Sequence, residues 1–133
     1  MNIIIMGCGR VGSSLASRLD NENHSVTIMD LDSNSFRRLP ENFKGTALVG
    51  SGTDQSALER AGANNANIFI ALTQGDNRNL TAVQIAKHIY GIPRVISRVY
   101  DHNRASIFEK LGIETFSSTG IVSNMMHDII AEK

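Results

Sequence analysis

A glycine-rich turn lies between the first apolar run of the chain and its first amphipathic segment. The apolar run is Asn2–Met6, and residues 7–12 then read Gly-Cys-Gly-Arg-Val-Gly. A strand, a turn of this kind and a helix in succession begin a βαβ unit. Gly7 permits the tight turn, Gly9 lets the backbone approach a phosphate, and Gly12 lets the helix pack close to the strand. The turn therefore favours a parallel α/β sheet with a phosphate-binding loop.

Short apolar, β-branched runs recur along the chain, with helical segments between them. Near-continuous hydrophobicity, as in Ile3-Ile4-Ile5, indicates strands covered on both faces, which is the condition of a parallel sheet. The predicted strands are Asn2–Met6, Ser25–Asp30, Thr46–Val49, 68–72, 94–99 and Glu114–Phe116. Because crossovers between parallel strands are right-handed, six β-α repeats predict a doubly wound, Rossmann-type α/β sheet. Its six parallel strands are expected in the order 3-2-1-4-5-6, with helices on both faces.

Two helical segments carry apolar residues at the three-to-four-residue spacing of a single buried face. These residues are Val11, Leu15 and Leu19 in the first segment, and Leu80, Val83, Ala86 and Tyr90 in the second. Three glycines follow helical segments, where a left-handed C-cap is favoured. They are Gly62, Gly91 and Gly112.

Length and charge narrow the class of protein. A chain of 133 residues fits one domain, and no Pro/Gly/Ser-rich linker divides residues 1–133. Thirteen basic and thirteen acidic residues cancel to a net charge of +0, so the total charge does not attract nucleic acid or an anionic membrane surface. No apolar run approaches the roughly 18–20 residues of a membrane span, and no signal-peptide pattern precedes the first strand. We expect a cytosolic domain without nucleic-acid binding or direct membrane insertion.

The glycine turn opens the first predicted helix, so free N–H groups and the helix dipole favour a bound anion there. All of its residues are candidate cofactor contacts: Gly7, Cys8, Gly9, Arg10, Val11 and Gly12. The Arg10 guanidinium can bind a phosphate oxygen bidentately, or it is a solvated arginine of the first helical turn.

The end of the second predicted strand supplies an acid. Asp30 lies close to the offset of about 20 residues from the glycine turn at which a carboxylate accepts hydrogen bonds from adenosine ribose hydroxyls. A carboxylate there repels a 2′-phosphate, so NAD(H), ATP, ADP or AMP is favoured over NADP. Leu31 and Asp32 extend this candidate site, although Asp32 is equally typical of a helix N-cap.

Cys8 is the only cysteine, which excludes an intramolecular disulfide and a Cys/His zinc site. A thiol at the start of a helix can have a lowered pKa and sense redox state. A small residue that fills a tight turn is the commoner case, and we favour that interpretation here.

Motifs along nearly the whole chain carry a resemblance to a known family. They occupy residues 7–12, 26–30, 50–54, 71–73, 76–77, 94–101 and 111–114. With these motifs the sequence resembles the nucleotide-binding lobe of the RCK family, also called KTN or TrkA-N domains. Members of that family regulate potassium channels and the Trk and Ktr potassium uptake systems.

The resemblance implies further site residues. In the family the turn after the third strand usually reads Gly-Asp-Ala-Thr-Asp and lies against the adenine, whereas here Ser51 and Gly52 differ from the pattern and Thr53 keeps it. Thr73 and Asn77 are implied at the carboxyl edge of the sheet, near the point where the strand order reverses. Arg98 and Glu114 match family positions near the ligand phosphates or an associated cation at the dimer contact. Without the resemblance, Arg98 is typical of a salt-bridged strand end and Glu114 of a solvated edge residue.

The functional prediction is regulatory. A dehydrogenase generally needs a substrate pocket and an acid/base residue facing the nicotinamide, usually from another domain. The four histidines, His24, His88, His102 and His127, lie apart in sequence with no nucleophile or paired carboxylate motif. We expect no catalytic residue, no metal site and no enzyme activity.

The resemblance implies a nucleotide sensor at the inner face of the membrane, held there by a potassium channel or transporter subunit. The alternatives are a fragment of an NAD-dependent oxidoreductase and a stand-alone redox sensor that uses Cys8.

Residues 119–133 are expected to form a helix with a broad apolar stripe. Its members are Ile121, Val122, Met125, Met126, Ile129 and Ile130. Such a stripe needs a partner, either the edge of the sheet or a second copy of the chain. In the RCK family this helix crosses to a neighbouring subunit and leads into a smaller lobe. The resemblance therefore implies a homodimer or higher assembly, with a C-terminal lobe that is separate or truncated.

Overall fold

Six strands of three to six residues form the centre of the fold. The computed structural model describes residues 1–132, and within them the strands are β1 (Asn2–Met6), β2 (Ser25–Asp30), β3 (Thr46–Val49), β4 (Ile68–Ala71), β5 (Arg94–Arg98) and β6 (Glu114–Phe116). They pair in parallel in the order β3-β2-β1-β4-β5-β6. The predicted sheet is confirmed, and β4 and β5 each end one residue earlier than the sequence indicated.

Helices connect the strands and follow the last one. They are α1 (Arg10–Asn21), α2 (Gln55–Arg60), α3 (Asp76–His88), α4 (Ala105–Lys110) and α5 (Ser118–Ala131). The predicted C-cap glycines have positive φ angles, 88° at Gly62, 65° at Gly91 and 77° at Gly112.

The connection between β2 and β3 departs from the six predicted β-α repeats. It holds a 3-10 helix, Ser33–Arg38, in place of an α-helix. Pro40 explains why the helix stops so soon, because proline has no N–H to donate and disfavours helical backbone at the residue before it. Leu39 accordingly adopts an extended conformation with ψ of 144°.

The sheet has a hydrophobic core on each face. Ile4 and Met6 point into the core covered by α2, α3 and α4, whereas Ile3 and Ile5 point into the core covered by α1. Alternate residues of a strand face opposite sides of its sheet, so a central strand buried on both sides must be apolar throughout. The prediction of helices on both faces is confirmed.

The predicted buried stripe of α1 needs one correction. Leu15 and Leu19 are half-buried against the core, but Val11 is 46% exposed. The first turn of α1 extends past the end of β1, so Val11 meets open space where Leu15 meets the sheet. The stripe of α3 is as predicted, with Val83 and Ala86 buried.

Helix α5 leaves the sheet after its first turn. Ser117 caps it by accepting a hydrogen bond from the Gly120 N–H at 3.1 Å, and residues 121–132 are exposed. The edge of the sheet therefore does not cover the apolar stripe within one chain. The helix spans Ser118–Ala131, so it begins one residue before the predicted range of 119–133, and Lys133 lies outside the described residues.

Candidate functional site

A cleft of about 530 Å³ opens at the carboxyl ends of the central strands. The strand order reverses there, because β2 and β3 lie on one side of β1 and β4 lies on the other. Ligands of open α/β sheets bind at such a switch point. The predicted site residues that line the cleft are Gly7, Cys8, Gly9, Arg10, Val11, Gly12, Asp30, Leu31, Ser51, Thr73 and Arg98.

The glycine turn forms one wall of the cleft. Gly7 has a φ of 112°, and a β-carbon there would lie 3.0 Å from the Leu72 carbonyl. A β-carbon at Gly12 would overlap the Gly7 carbonyl oxygen, so the first turn of α1 packs tightly on the loop. Gly9 is different, since a β-carbon there would meet nothing within 4 Å. The space beside Gly9 is open cleft.

The N terminus of α1 faces that space. Gly9 is its N-cap, and no side chain within the described residues caps it. The N–H groups of the first turn are therefore free to donate to a ligand, and the helix dipole adds partial positive charge. This is the arrangement that binds phosphate groups at helix N-termini.

Asp30 links the glycine turn to the end of β2. Its Oδ2 accepts a hydrogen bond from the Cys8 N–H at 2.8 Å, and its Oδ1 accepts one from the Asp32 N–H at 2.9 Å. A carboxylate oxygen can accept more than one hydrogen bond. Asp30 therefore holds the loop in place and can still accept from a hydroxyl in the cleft.

Asp32 has the second of its two predicted roles. It is the N-cap of the 3-10 helix Ser33–Arg38, and its side chain accepts a hydrogen bond from the Asn34 N–H at 2.9 Å. Asp32 is exposed and lies outside the cleft lining. The Asp32 side chain therefore caps the 3-10 helix that follows β2.

The turn after β3 brings one of its three predicted residues to the cleft. Ser51 lines it, whereas Gly52 is buried beneath the turn, where a β-carbon would collide with the Met6 sulfur. Thr53 is exposed, with its hydroxyl 2.8 Å from the Ser51 Oγ. Glycine at position 52 thus follows from core packing, and Thr53 stabilises the turn without lining the cleft.

Asn77 and Glu114 are also outside the cleft of a single chain. Asn77 is exposed on the first turn of α3, and its neighbour Arg78 lines the cleft instead, since successive helical residues point about 100° apart. Glu114 pairs with Arg94 through two hydrogen bonds of 2.8 Å. The hydrogen bond from Arg94 lowers the pKa of Glu114. The ion pair at this edge of the sheet therefore joins Glu114 to Arg94. Arg98, which without the resemblance was typical of a salt-bridged strand end, is not part of it.

Four arginines line the cleft, and two of them were not predicted. Arg38 ends the 3-10 helix after β2, and Arg78 lies in the first turns of α3. Arg10 and Arg98 are the predicted pair. Asp30 is the acid among the lining residues. A chain with no net charge therefore concentrates positive charge around one cavity, which favours an anionic ligand.

Arg98 is the most unusual of the four. It is 8% exposed, and its Nη1 donates to the Leu72 carbonyl at 3.1 Å and to the Tyr100 hydroxyl at 2.9 Å. Its Nε is buried without a hydrogen-bond partner in the described chain. The ion pairs among residues 1–132 are Arg94–Glu114 and His127–Asp128, so no carboxylate neutralises it. An unpaired buried charge is costly, and an anionic ligand would offset that cost.

Cys8 is buried in the turn, and its Sγ donates to the Ser35 carbonyl at 3.4 Å. Burial, followed by the nearby Asp30 charge, raises the pKa of Cys8 to about 11. The thiol is therefore protonated at neutral pH, whereas a reactive cysteine needs a lowered pKa. This environment favours the packing interpretation.

Several lining residues were not among the predicted site residues. Besides Arg38 and Arg78 they are Met6, Met29, Ser35, Gly50, Leu72 and Gln74. Most lie at or just beyond a strand end, a position that the topology brings to the cleft whatever the side chain. Among residues 1–132, no group of three His, Cys, Asp or Glu side chains is placed to hold a metal ion. In the same range no helix has the length and apolar character of a membrane span.

The family model described as the TrkA-N domain matches residues 3–119. The chain belongs to the TrkA-N family. The match covers the glycine turn and all of the sheet except the first residue of β1, and it confirms the resemblance inferred from the sequence. The TrkA-N region also includes every residue that lines the cleft.

Curated relatives of this TrkA-N chain are potassium uptake proteins. The Trk system potassium uptake protein TrkA of Streptomyces coelicolor is 42% identical over 126 residues, which are 95% of this chain and 56% of the relative. A TrkA homolog of Pyrococcus horikoshii is 39% identical over 109 residues, 82% of this chain and 48% of the relative. The chain thus spans about half the length of these relatives.

Solved structures share the fold. The TrkA-N domain of the inner membrane protein ybaL from Escherichia coli has a TM-score of 0.85 at 16% identity and covers 96% of this chain and 95% of its own. The GsuK channel bound to NAD has a TM-score of 0.82 at 21% identity, covering 97% and 23%. The AMP-bound Kef C-terminal domain of Shewanella denitrificans has a TM-score of 0.79 at 21% identity, covering 97% and 79%.

Proposed function

We propose that this chain is the nucleotide-sensing regulatory domain of a Trk-type potassium uptake system. The observation that carries the proposal is the cleft, where the open N terminus of α1 and the buried, unpaired Arg98 line the same cavity. Free N–H groups at a helix N terminus and an unpaired guanidinium both favour the binding of an anion. The names of the relatives, Trk system potassium uptake proteins, support the transport system as its setting.

The proposed ligand is NAD(H) or an adenine nucleotide such as ATP, ADP or AMP. The phosphates would lie beside Gly9 and the α1 N–H groups, with Arg10 and Arg98 supplying positive charge. Asp30 would accept hydrogen bonds from the ribose hydroxyls, and its charge disfavours the 2′-phosphate of NADP. Leu31 and Ser51 line the cleft near the ends of β2 and β3 and would contact the adenine. The solved relatives with NAD and AMP support this ligand class.

Regulation without catalysis fits the side chains of the cleft. The titratable residues that line it are Cys8, Asp30 and four arginines. The Cys8 thiol has a raised pKa, Asp30 already holds two backbone N–H groups, and arginine does not release its proton in proteins. A domain of this kind acts by binding its ligand more tightly in one conformation or assembly than in another.

Self-association through α5 is part of the proposal. The six apolar side chains of its stripe, from Ile121 to Ile130, are each 50% to 68% exposed. We expect a homodimer or an assembly of dimers that carries the ligand signal to a membrane potassium channel or transporter subunit at the inner face of the membrane. The assembly would include a C-terminal lobe that is either a separate chain or truncated from this one. Glu114 stays a prediction for a site shared between two copies.

Calorimetric titration of the purified chain tests the ligand. We expect at least one of NAD, NADH, ATP, ADP and AMP to bind with Kd below about 1 mM, equivalent to about −4 kcal/mol, and NADP to bind more weakly than NAD. Gly9→Val should abolish binding without unfolding the protein, because its side chain fills the open phosphate space. Ser14→Val, on the exposed face of α1, is the matched control. Failure of all five nucleotides to bind would contradict the proposal.

A further inference from the structure

Asn79 is a polar side chain buried on α3, with 0% exposure. Its Oδ1 accepts hydrogen bonds from the Thr73 N–H at 3.1 Å and the Thr73 hydroxyl at 2.6 Å. Its Nδ2 donates to the Thr73 carbonyl at 3.0 Å and to the Arg98 carbonyl at 3.2 Å. A carboxamide has two donors and one oxygen with two lone pairs, so these four contacts use its full hydrogen-bonding capacity.

The two residues that Asn79 holds lie beyond the last pair of the β4–β5 ladder. That ladder ends with Ala71 opposite Ser97. Thr73 and Arg98 therefore lack each other's strand hydrogen bonds, and the Asn79 side chain supplies a bridge between them. Both residues line the cleft. One helical side chain thus sets the distance between two walls of the site.

The same helix fixes the segment that follows Arg98. The Asp76 carboxylate accepts hydrogen bonds from the Tyr100 and Asp101 N–H groups, both at 2.8 Å. Tyr100 in turn accepts a hydrogen bond from the Arg98 guanidinium, and its ring centre lies 5.4 Å from the Arg98 Cζ. Asn79 therefore acts at the main chain of Arg98, and Asp76 acts on the residue that holds its side chain.

We propose that Asn79 is a positioning residue for the anionic part of the ligand. It fixes the Arg98 guanidinium and the Thr73 loop relative to the glycine turn. Arg98 is buried and lacks an acidic partner. Its guanidinium can therefore interact with a ligand phosphate only if the surrounding residues hold it at a fixed position in the cleft. A small displacement of a rigid charged group changes its interaction with a bound phosphate much more than it changes contacts with the base. This inference rests on the proposed nucleotide function.

The test compares ADP with adenosine, which lacks the phosphates, by calorimetry on wild type, Asn79→Ala, Arg98→Met and the double variant. We expect Asn79→Ala to bind ADP at least about tenfold more weakly and adenosine within about twofold of wild type. The double variant should bind ADP no more weakly than Arg98→Met alone, because coupled residues are not additive. Gln84→Ala, on the same helix and outside the cleft lining, is the control.

The outcomes separate this inference from the function on which it rests. Wild-type affinity for ADP in Asn79→Ala, equal losses for ADP and adenosine, or additive losses with Arg98→Met would each overturn the positioning role while the nucleotide function stands. Absence of ADP binding by the wild type would overturn both. If Asn79→Ala fails to fold by circular dichroism, Asn79→Ser takes its place, since its hydroxyl keeps a polar group in the buried site but is too short to bridge Thr73 and Arg98. The same pattern of affinities is expected.

Discussion

Arg98 places a positive charge at the end of β5, where the described chain offers no acid to balance it. Its hydrogen-bond partners are a carbonyl and a phenol, which are neutral. Proteins often lose little stability when a buried charge is replaced by an apolar side chain of similar size, because the desolvation penalty disappears with it. The residue is therefore better explained by a ligand than by the stability of the fold.

Arg98→Met should separate these two roles. We expect the free energy of unfolding, measured with urea, to change by less than about 1 kcal/mol, since the lost hydrogen bonds are offset by the removed desolvation cost. The affinity for NAD or ADP should fall at least about tenfold, about 1.4 kcal/mol. Arg94→Met, on the same strand but in an exposed ion pair, should leave the affinity unchanged. A large loss of stability with unchanged affinity would contradict the ligand role.

At the scale of elements, aspartate N-caps begin the short helices that follow strands. Asp32, Asp54 and Asp101 each accept a hydrogen bond from the N–H group two residues later. Such caps satisfy N–H groups that a short helix leaves unpaired, and they fix where the chain turns after the strand. The loops around the cleft are thus shaped by local hydrogen bonds before any ligand arrives.

Asp32 allows the cap and the ribose interpretations to be distinguished. Asp32→Ala should lower the free energy of unfolding by about 0.5–2 kcal/mol, and Asp32→Ser, which keeps a capping oxygen, should restore most of it. Both variants should bind nucleotide within about twofold of wild type. Urea unfolding and calorimetry measure the two quantities. A loss of affinity in Asp32→Ser, with stability retained, would show that the carboxylate contacts the ligand.

At the scale of the whole molecule, α5 has an apolar stripe that no other part of residues 1–132 covers. A helix with one broad apolar face and no packing partner is typical of an interface between subunits. Methionines at positions 125 and 126 suit such a surface, because their flexible side chains adapt to a facing helix. The proposed dimer would also bring the sheet edges that carry Glu114 near a second copy.

Charge on the stripe should prevent association. We expect Met126→Glu combined with Ile130→Glu to give folded monomers, since buried, unpaired carboxylates at an interface are costly. Light scattering at micromolar concentration measures the mass, and circular dichroism the fold. Ser123→Glu with His127→Glu adds the same substituents to the other face of the helix and should leave the assembly intact. A monomeric wild type would remove the dimer proposal.

The fold was predictable because its signals are local. The alternation of β-branched runs with amphipathic segments, and the glycines at 7, 9 and 12, indicate the sheet and the cleft position from residues close in sequence. Val11 was misplaced because helical spacing identifies a stripe but does not show where the sheet beneath it ends. The 3-10 helix at Ser33–Arg38 was missed because Pro40 acts after the segment that it shortens.

The sequence by itself determined the glycine turn and the place of Asp30, since both depend on spacing along one βαβ unit. It also determined the strand order, since six β-α repeats with right-handed crossovers favour that order. Only the tertiary structure decided which side chains from different units share the cleft. Arg38 and Arg78 lie far apart in sequence and line it, whereas Thr53, Asn77 and Glu114 point elsewhere. It also placed Asn79 between Thr73 and Arg98. The physical reason is that side-chain direction at a helix or loop depends on how each element packs on the sheet, and this packing depends on contacts between residues distant in sequence.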